Sequence, residues 1–270
     1  MTEEGYGTGR RDADVVKIHG HAAAEAAFRA RPEAVVRAYI DTTRQGRFSE
    51  LMRALAAARV AYRLVPPEEL ERVTKSRHHE GICLLVKPRP EQSFEEWARD
   101  CPAAASVVIL DGVSNPHNLG AIVRTAAHFG ARAVWQVGRA PVHGALARVA
   151  EGGAESVPVF SVSSAVEPIR QLKEVGFEVC AATVQEGSET LFESSLPRRT
   201  AFVLGAEQLG LSEDALALAD RSLWIPGTGA VESLNVASAA AVFLAEHARQ
   251  RHAAALRRGK GGRSSGSTAG

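Results

Sequence analysis

Three short stretches combine residue types that can hold a polar ligand and act on it. The first runs Asp111-Gly112-Val113-Ser114-Asn115-Pro116-His117-Asn118-Leu119-Gly120-Ala121-Ile122-Val123-Arg124 and reads as a strand end, a polar loop and a helix start. Asn118 suits a helix cap that accepts a backbone N–H. Arg124 follows six residues later, which on a helix is about 120° around the axis from Asn118. Both fall in the first two turns above the strand ends, where open α/β sheets bind ligands. An ordinary strand–loop–helix connection with a surface arginine has the same spacing. The second stretch, Val203 to Ser212, is a buried strand running into Gly205 and Gly210, which bracket Glu207. Glycines let backbone approach a ligand closely, and a Glu there can accept from hydroxyls or an amine. A glycine turn with a solvated Glu reads the same, and the dinucleotide spacing G-x-G-x-x-G is absent. The third, Trp224 to Ser238, passes through Gly227 and Gly229 to Ser233 and Asn235. Ser233 suits a cap. Asn235 falls one turn into an Ala-rich helix, where asparagine is disfavoured, and so reads as held for contact. A fourth glycine-rich turn, Glu151 to Glu155, reads as a plain loop.

Composition narrows the setting. The 270 residues are 45% hydrophobic and 23% charged, which fits a globular chain and excludes a disordered one. With 32 Lys and Arg against 31 Asp and Glu the net charge is +1, so a globally basic nucleic-acid coat is excluded and a local basic patch is not. Cys83, Cys101 and Cys180 are odd in number and far apart, against a disulfide framework or a metal site and in favour of a reducing cytoplasm. The N-terminus lacks an apolar signal core, and no apolar run is long enough to span a membrane.

The elements that must position these residues follow from hydrophobic patterning. Residues 1–14 read as a loose arm. Residues 15–87 read as a small α/β domain: a short apolar run at Val15–Ile18, strands at Val35–Ile40, Tyr62–Val65 and Gly81–Val86, and helices over 22–30, Phe48–Arg59 and from Pro66. Lys87-Pro88-Arg89-Pro90 opens a linker, 88–104, with one short helix at Phe94–Arg99. From residue 105 to 252 strands and helices alternate, which predicts a parallel sheet covered on both faces. Strands are expected at Ser106–Leu110, Ala133–Val137, Glu178–Ala182, Thr200–Leu204 and Ser222–Ile225. Helices are expected at Leu119–Phe129, Val166–Val175, Asp214–Ala219 and Leu234 to about Arg251. Residues 253–270 read as a disordered basic, Gly/Ser-rich tail.

Taken in order, the three stretches resemble the SpoU (TrmH) family of RNA ribose 2′-O-methyltransferases, within the SPOUT class. The family pattern N-x-G-x-x-x-R-T-A-x-x-F-G is matched by Asn118, Gly120, Arg124, Thr125, Ala126, Phe129 and Gly130. L-G-x-E-x-x-G-L-S is matched from Leu204 through Ser212. I-P-M-x-G-x-x-x-S-L-N-V is matched by Ile225, Pro226, Gly229, Ser233, Leu234, Asn235 and Val236, with Gly227 where the family usually has Met. That departure bears on one wall of the cofactor pocket. Lys17-Ile18-His19-Gly20 and His78-His79-Glu80-Gly81-Ile82 resemble, more loosely, the L30e-like substrate-binding domain that precedes the catalytic domain in many members.

The resemblance implies an α/β protein whose C-terminal parallel sheet carries a deep trefoil knot, a rare exception to unknotted topology. It implies S-adenosylmethionine as cofactor, RNA (ribosomal or transfer) as substrate, a homodimer, no metal and no membrane. Thr183, Leu204, Gly205, Gly210, Ile225, Pro226, Leu234 and Asn235 should hold the cofactor. Arg124, Asn118, Glu207, Ser233 and Asn235 should face the reacting centre, where a ribose 2′-hydroxyl attacks the methyl carbon of a sulfonium. An Arg side chain, with a pKa above about 12, is no free base. Arg124 is therefore expected to anchor a neighbouring phosphate and stabilise the developing alkoxide. Glu207 is either a proton acceptor or a partner of the cofactor amine. His19, His21, Arg77, His78 and His79 are candidate RNA contacts, with Arg124, and the basic stretch Arg249 to Arg263 either adds phosphate affinity or is a solvated end. The competing readings are a catalytically silent knotted RNA-binding protein and, against the missing glycine fingerprint, a nicotinamide enzyme.

Overall fold

The computed structural model describes residues 15–138 and 148–261, with side chains through residue 254. The described residues divide into two compact units, residues 15–91 with 148–155, and residues 92–138 with 156–261. The expected arm at residues 1–14 lies outside the described residues.

Unit 1 is built on a four-stranded sheet of order β1-β4-β2-β3: β1 (Val16–His19), β2 (Val35–Asp41), β3 (Ala61–Val65) and β4 (Ile82–Val86). Only β2 and β3 run parallel. All of β4 is buried, so both faces of the sheet must be covered. Because side chains alternate along a strand, Ile82, Leu84 and Val86 join one cluster, and Cys83 and Leu85 another. The first cluster takes Ala23, Ala24 and Ala27 from α1 (His21–Ala30) and Leu51 and Leu55 from α2 (Ser49–Ala57). The second takes Leu70 from α3 (Pro67–Thr74). Pro66 and Pro67 start α3, as proline's fixed φ allows in a first turn.

The turn Arg148–Glu155 folds with this unit. A Cβ on Gly152 would lie 2.3 Å from the Ala26 Cβ, so α1 tolerates only glycine there. Glu155 takes Arg31 in a fork, with Nε to Oε2 at 3.0 Å and Nη2 to Oε1 at 3.2 Å, and Arg89 Nη2 at 2.8 Å. Burial alone would raise the Glu155 carboxyl, but the two guanidinium groups hold it below its usual range. The turn that reads in the sequence as a plain loop is thus a packed element.

Unit 2 carries a seven-stranded, wholly parallel sheet of order β7-β6-β5-β10-β8-β11-β9. Its strands are β5 (Ala105–Asp111), β6 (Val134–Val137), β7 (Val159–Val162), β8 (Glu178–Ala182), β9 (Glu189–Thr190), β10 (Arg199–Gly205) and β11 (Arg221–Trp224). β5 is buried throughout and pairs with β10, Gly205 beside Asp111. On one face Val107, Ile109, Ala201 and Val203 pack with Trp97 of α4 (Phe94–Arg99), Ile169 and Leu172 of α6 (Val166–Glu174) and Ala215 of α7 (Glu213–Leu218). On the other lie α5 (Pro116–Phe129) and the last helix, α8 (Val236–Gly261), with the Phe202 and Phe243 rings 5.3 Å apart.

Two edge strands, β7 and β9, are absent from the sequence reading. β7 is only partly buried and β9 has two residues, so neither has a clear apolar signature. The last helix also continues to Gly261, into the stretch expected to be disordered from residue 253; residues 262–270 lie outside the described residues. All three cysteines are free, and burial pushes the Cys83 and Cys180 thiols up to about 12, which leaves them unreactive. Among the described residues no helix is long and apolar enough to cross a membrane, and no cluster of metal-ligating side chains is found.

His247, 1% exposed, faces Pro197 O through Nε2 at 3.1 Å and is pushed down to about 4 by burial. An unfolded chain takes up this proton near pH 6.5, the folded one only near 4. Lowering the pH through that window therefore favours unfolding, by up to about 3 kcal/mol. Burial lowers His19 and His79 in the same direction. We expect the Tm to drop between pH 6.5 and pH 4, and the drop to be smaller in His247→Gln, read by calorimetry across that range. An equal drop in both proteins would contradict the assignment to His247.

Candidate active site

The three stretches meet at the C-terminal edge of the unit 2 sheet. β5 ends at Asp111, and Asn115, not Asn118, caps α5: its side chain accepts from His117 N at 2.9 Å, with Pro116 at the first helical position. Asn118 is thereby released from the capping role that its sequence position suggests. β10 ends at Gly205, and the following loop closes on itself, Gly210 N donating to Ala206 O at 2.8 Å. A Cβ on Gly205 would lie 2.2 Å from the backbone of Gly210, so the close approach of these two segments requires glycine. Asp111 holds the far end of this loop, its Oδ2 accepting from Ser212 N at 2.8 Å. α8 starts at Val236, and Asn235 is its cap, with Oδ1 accepting from Ala237 N at 2.9 Å. Asn235 therefore lies before the helix and not one turn inside it, and Ser233 is exposed in the loop before the cap.

Glu207 joins these pieces. Its Oε1 accepts from Asn235 Nδ2 at 2.8 Å, from Asn118 Nδ2 at 3.3 Å and from Val236 N at 3.4 Å. Asn235 Nδ2 also donates to Asn118 Oδ1 at 3.1 Å. Both amide protons of Asn235 are thus engaged. Asn118 keeps one, and the second carboxylate oxygen of Glu207 faces none of these amides.

Beside the cluster is an open cavity lined by Thr183, Leu204, Gly205, Gly210, Ile225 and Leu234, six of the eight residues expected to hold a cofactor. Pro226 and Asn235 are not in its wall. Glu207 and Ser233 are, while Asn118 and Arg124 are not. Arg124 is exposed in the third turn of α5, about 9 Å along the axis from Asn118. Sequence reasoning missed Leu223, Trp224, Glu232 and Phe243 in the wall. The first two end β11 and could have been read from the strand that carries Ile225; Phe243, two turns into α8, had no such signal. Gly227, where the family usually has Met, is exposed and outside the wall.

In unit 1 the expected RNA contacts separate. His19 and His79 are buried at 3% and 6% exposure, and His79 Nδ1 accepts from Gly81 N at 3.0 Å, so they support the fold and not the surface. Apolar neighbours on β1 and β4 draw both rings inward. Arg77 and His78 are exposed. Arg44 and Arg47, in the turn after β2, join them at the strand end where His19 pairs with Cys83 and Ile40 with Ile82. His21 is engaged by Glu25 at 3.1 Å and Arg47 at 3.4 Å.

A parallel sheet with glycine-rich loops and a polar cluster at its C-terminal edge defines a cofactor-dependent α/β enzyme. Residues 105–245 match the SpoU rRNA Methylase family, and residues 17–92 match the family described as RNA 2′-O ribose methyltransferase substrate binding. The chain is 37% identical over 245 residues to an uncharacterized tRNA/rRNA methyltransferase, YfiF, of Escherichia coli O157:H7, covering 90% of this chain and 71% of the relative. It is 34% identical to the 23S rRNA (guanosine-2′-O-)-methyltransferase RlmB of Nitrosomonas europaea, over 86% of this chain and 91% of that one. The fold is similar to a solved RNA 2′-O ribose methyltransferase (TM-score 0.73, 26% identity, 88% of this chain and 90% of that one). It is also similar to AviRb of Streptomyces viridochromogenes in complex with AdoMet (TM-score 0.75, 23% identity, 91% and 95%). The chain belongs to the SpoU rRNA methylase family. By that membership it is an RNA ribose 2′-O-methyltransferase, and S-adenosylmethionine is the cofactor bound in the similar AviRb structure.

The lining fits that cofactor. Leu204, Leu223, Ile225 and Phe243 offer apolar walls for a flat base, and Glu207 and Glu232 offer carboxylates to a cationic centre. Gly205→Ala should push the Gly210 segment aside and open this wall. Calorimetry should then show S-adenosylmethionine affinity reduced at least tenfold, with the circular dichroism of the sheet retained. Unchanged affinity would show that the close approach does not shape the site.

Proposed function

We propose that methyl transfer takes place at the mouth of this cavity, with Glu207 acting on the ribose, Arg124 on its phosphate, and Asn235 holding Glu207 and Asn118 in place. The observation that carries the reading is the convergence of Asn118, Asn235 and the Val236 amide on one oxygen of Glu207. S-adenosylmethionine, held by Thr183, Leu204, Gly205, Gly210, Ile225 and Leu234, supplies a methyl group already activated on a sulfonium.

The residues must then orient the hydroxyl, take up its proton and compensate the charge that develops on oxygen. With Oε1 fixed by three N–H groups, Glu207 can turn only its other oxygen to the ribose, where it accepts the hydroxyl proton. The remaining Asn118 amide proton is placed to orient the same ribose, and Ser233 offers a hydroxyl from the cavity wall. Arg124 binds the adjoining phosphate and favours the alkoxide, a task for a permanent cation with several donors. Asn235, with both amide protons engaged, is a positioning residue.

RNA selection falls to the exposed end of unit 1, where Arg44, Arg47, Arg77 and His78 surround the buried histidines. We infer ribosomal RNA, with a guanosine ribose as target, as the substrate; the relatives named for that reaction support the choice. The working form is a homodimer in the cytoplasm. Leu209 and Val231, 88% and 70% exposed, and Val184 and Leu234 at the cavity, 76% and 45% exposed, form apolar surface that a second copy would cover. Sedimentation at micromolar concentration should give twice the chain mass. The deep knot of the family belongs to the same reading, supported by β10 lying between β5 and β8 and by α8 returning to pack on α5.

A map of ribose methylation in cells with and without the gene should lose one ribosomal site, and a loss confined to transfer RNA would reverse the choice of substrate. On the purified enzyme, Glu207→Gln preserves an acceptor for Asn235 but removes the proton acceptor, so kcat should fall at least about 100-fold. S-adenosylmethionine affinity should hold within a few-fold. Arg124→Ala should reduce kcat and raise KM for RNA together. Near-full turnover in either variant would remove that residue from the mechanism.

A further inference from the structure

Unit 2 carries a second, larger groove at the opposite edge of its sheet. It lies where β5 and β10 begin, has a volume of about 900 Å³, and is lined by Ala104, residues 195–198 and residues 247–254. Its charge is one-sided. Glu246, 8% exposed, is already matched by Arg249 through bonds of 2.7 and 2.8 Å and by Gln250 at 2.7 Å. Arg198 is exposed and has no ion pair among the described residues. Arg251 is half-buried, and its Nη1 is buried with no hydrogen-bond partner. A guanidinium nitrogen shielded from water and unpaired is costly unless an anion completes it. His247 beside it is held neutral by burial and adds no charge. The same helix continues in sequence through Arg257, Arg258 and Lys260.

We propose that this groove is a second RNA-binding surface, in which Arg198 and Arg251 bind phosphates of the substrate strand remote from the methylated ribose. The inference rests on the enzyme acting on RNA. β10 has seven residues, so its two ends lie roughly 20 Å apart. No single nucleotide spans that length, whereas a polynucleotide does, and forked guanidinium groups match phosphate geometry. Phosphate binding of this kind adds affinity and salt dependence without reading sequence. The groove then gives the enzyme a preference for long RNA that its transfer site alone does not confer.

The test uses the full chain, deproteinised ribosomal RNA, and a short oligoribonucleotide unable to span the sheet. Arg198→Glu, on the surface, and Arg251→Gln, which keeps hydrogen-bonding atoms, are compared with wild type by binding across a salt series and by steady-state kinetics. For long RNA, each variant should lower the slope of log affinity against log salt by roughly 0.7 for every phosphate it no longer neutralises. KM should rise, while kcat, S-adenosylmethionine affinity and binding of the short oligonucleotide stay unchanged. Unaltered salt slopes and KM in both variants would overturn the groove. Absence of methyl transfer in the wild type would instead strike at the enzymatic reading, so the two failures are distinguishable.

Discussion

One carboxylate oxygen gathers the C-terminal edge of the unit 2 sheet. Oε1 of Glu207 takes hydrogen bonds from a side chain on α5, from the cap of α8 and from the first amide of α8. Glu207 and Asn235 are exposed, so these bonds fix geometry more than they add stability, since water can replace any one of them. The placement also agrees with the field of α8, whose N-terminus favours negative charge. Residues 89 and 28 positions away in sequence are tied to Glu207 in this way. The ends of β5 and β10 and the loop after β11 cannot move independently while that oxygen is occupied.

The sheet makes such a meeting point available. β10 lies between β5 and β8, all parallel, so their C-terminal ends emerge at one edge. Alternating burial holds the plane from both sides, Phe202 against α8 and Val203 toward α6 and α7. The loop beyond β10 is fixed in turn by the Gly205–Gly210 approach and by Asp111, leaving Glu207 as its projecting member. Constrained backbone thus delivers a side chain whose neighbours are themselves constrained, the preorganisation that the proposed proton transfer needs.

Much of this was legible beforehand. Long apolar runs such as Ser106–Leu110 and the fully apolar Gly81–Val86 have one good structural solution, and the structure places β5 and β4 there. Glu207, Asn118 and Asn235 could be named from residue type and order. Their local roles could not, because capping is decided by one or two residues of phase. Pro116 fixes the helix start, so Asn115 caps and Asn118 faces the cluster. Asn235 proved to be the cap that Ser233 was expected to be. His19 and His79 read as surface residues because histidine is polar, yet their apolar neighbours draw them into the core. The helical backbone beyond residue 252 was hidden by a composition that also describes a tail.

The turn ending at Glu155 gives this architecture an unusual kind of modularity. In sequence it lies inside the stretch matched to the methylase family, between β6 and β7, yet it is packed with unit 1 through Gly152 on α1 and Glu155 on Arg31 and Arg89. The substrate-binding unit is therefore discontinuous along the chain. Severing the polypeptide at the linker would leave it without the Gly152 contact on α1 and the Glu155 ion pairs, and would leave the other half with a turn deprived of its seat. A gene rearrangement that exchanged only the first ninety or so codons would inherit the same mismatch. Residues 15–91 and 148–155 can be expected to change together over time, as one inherited piece written in two places.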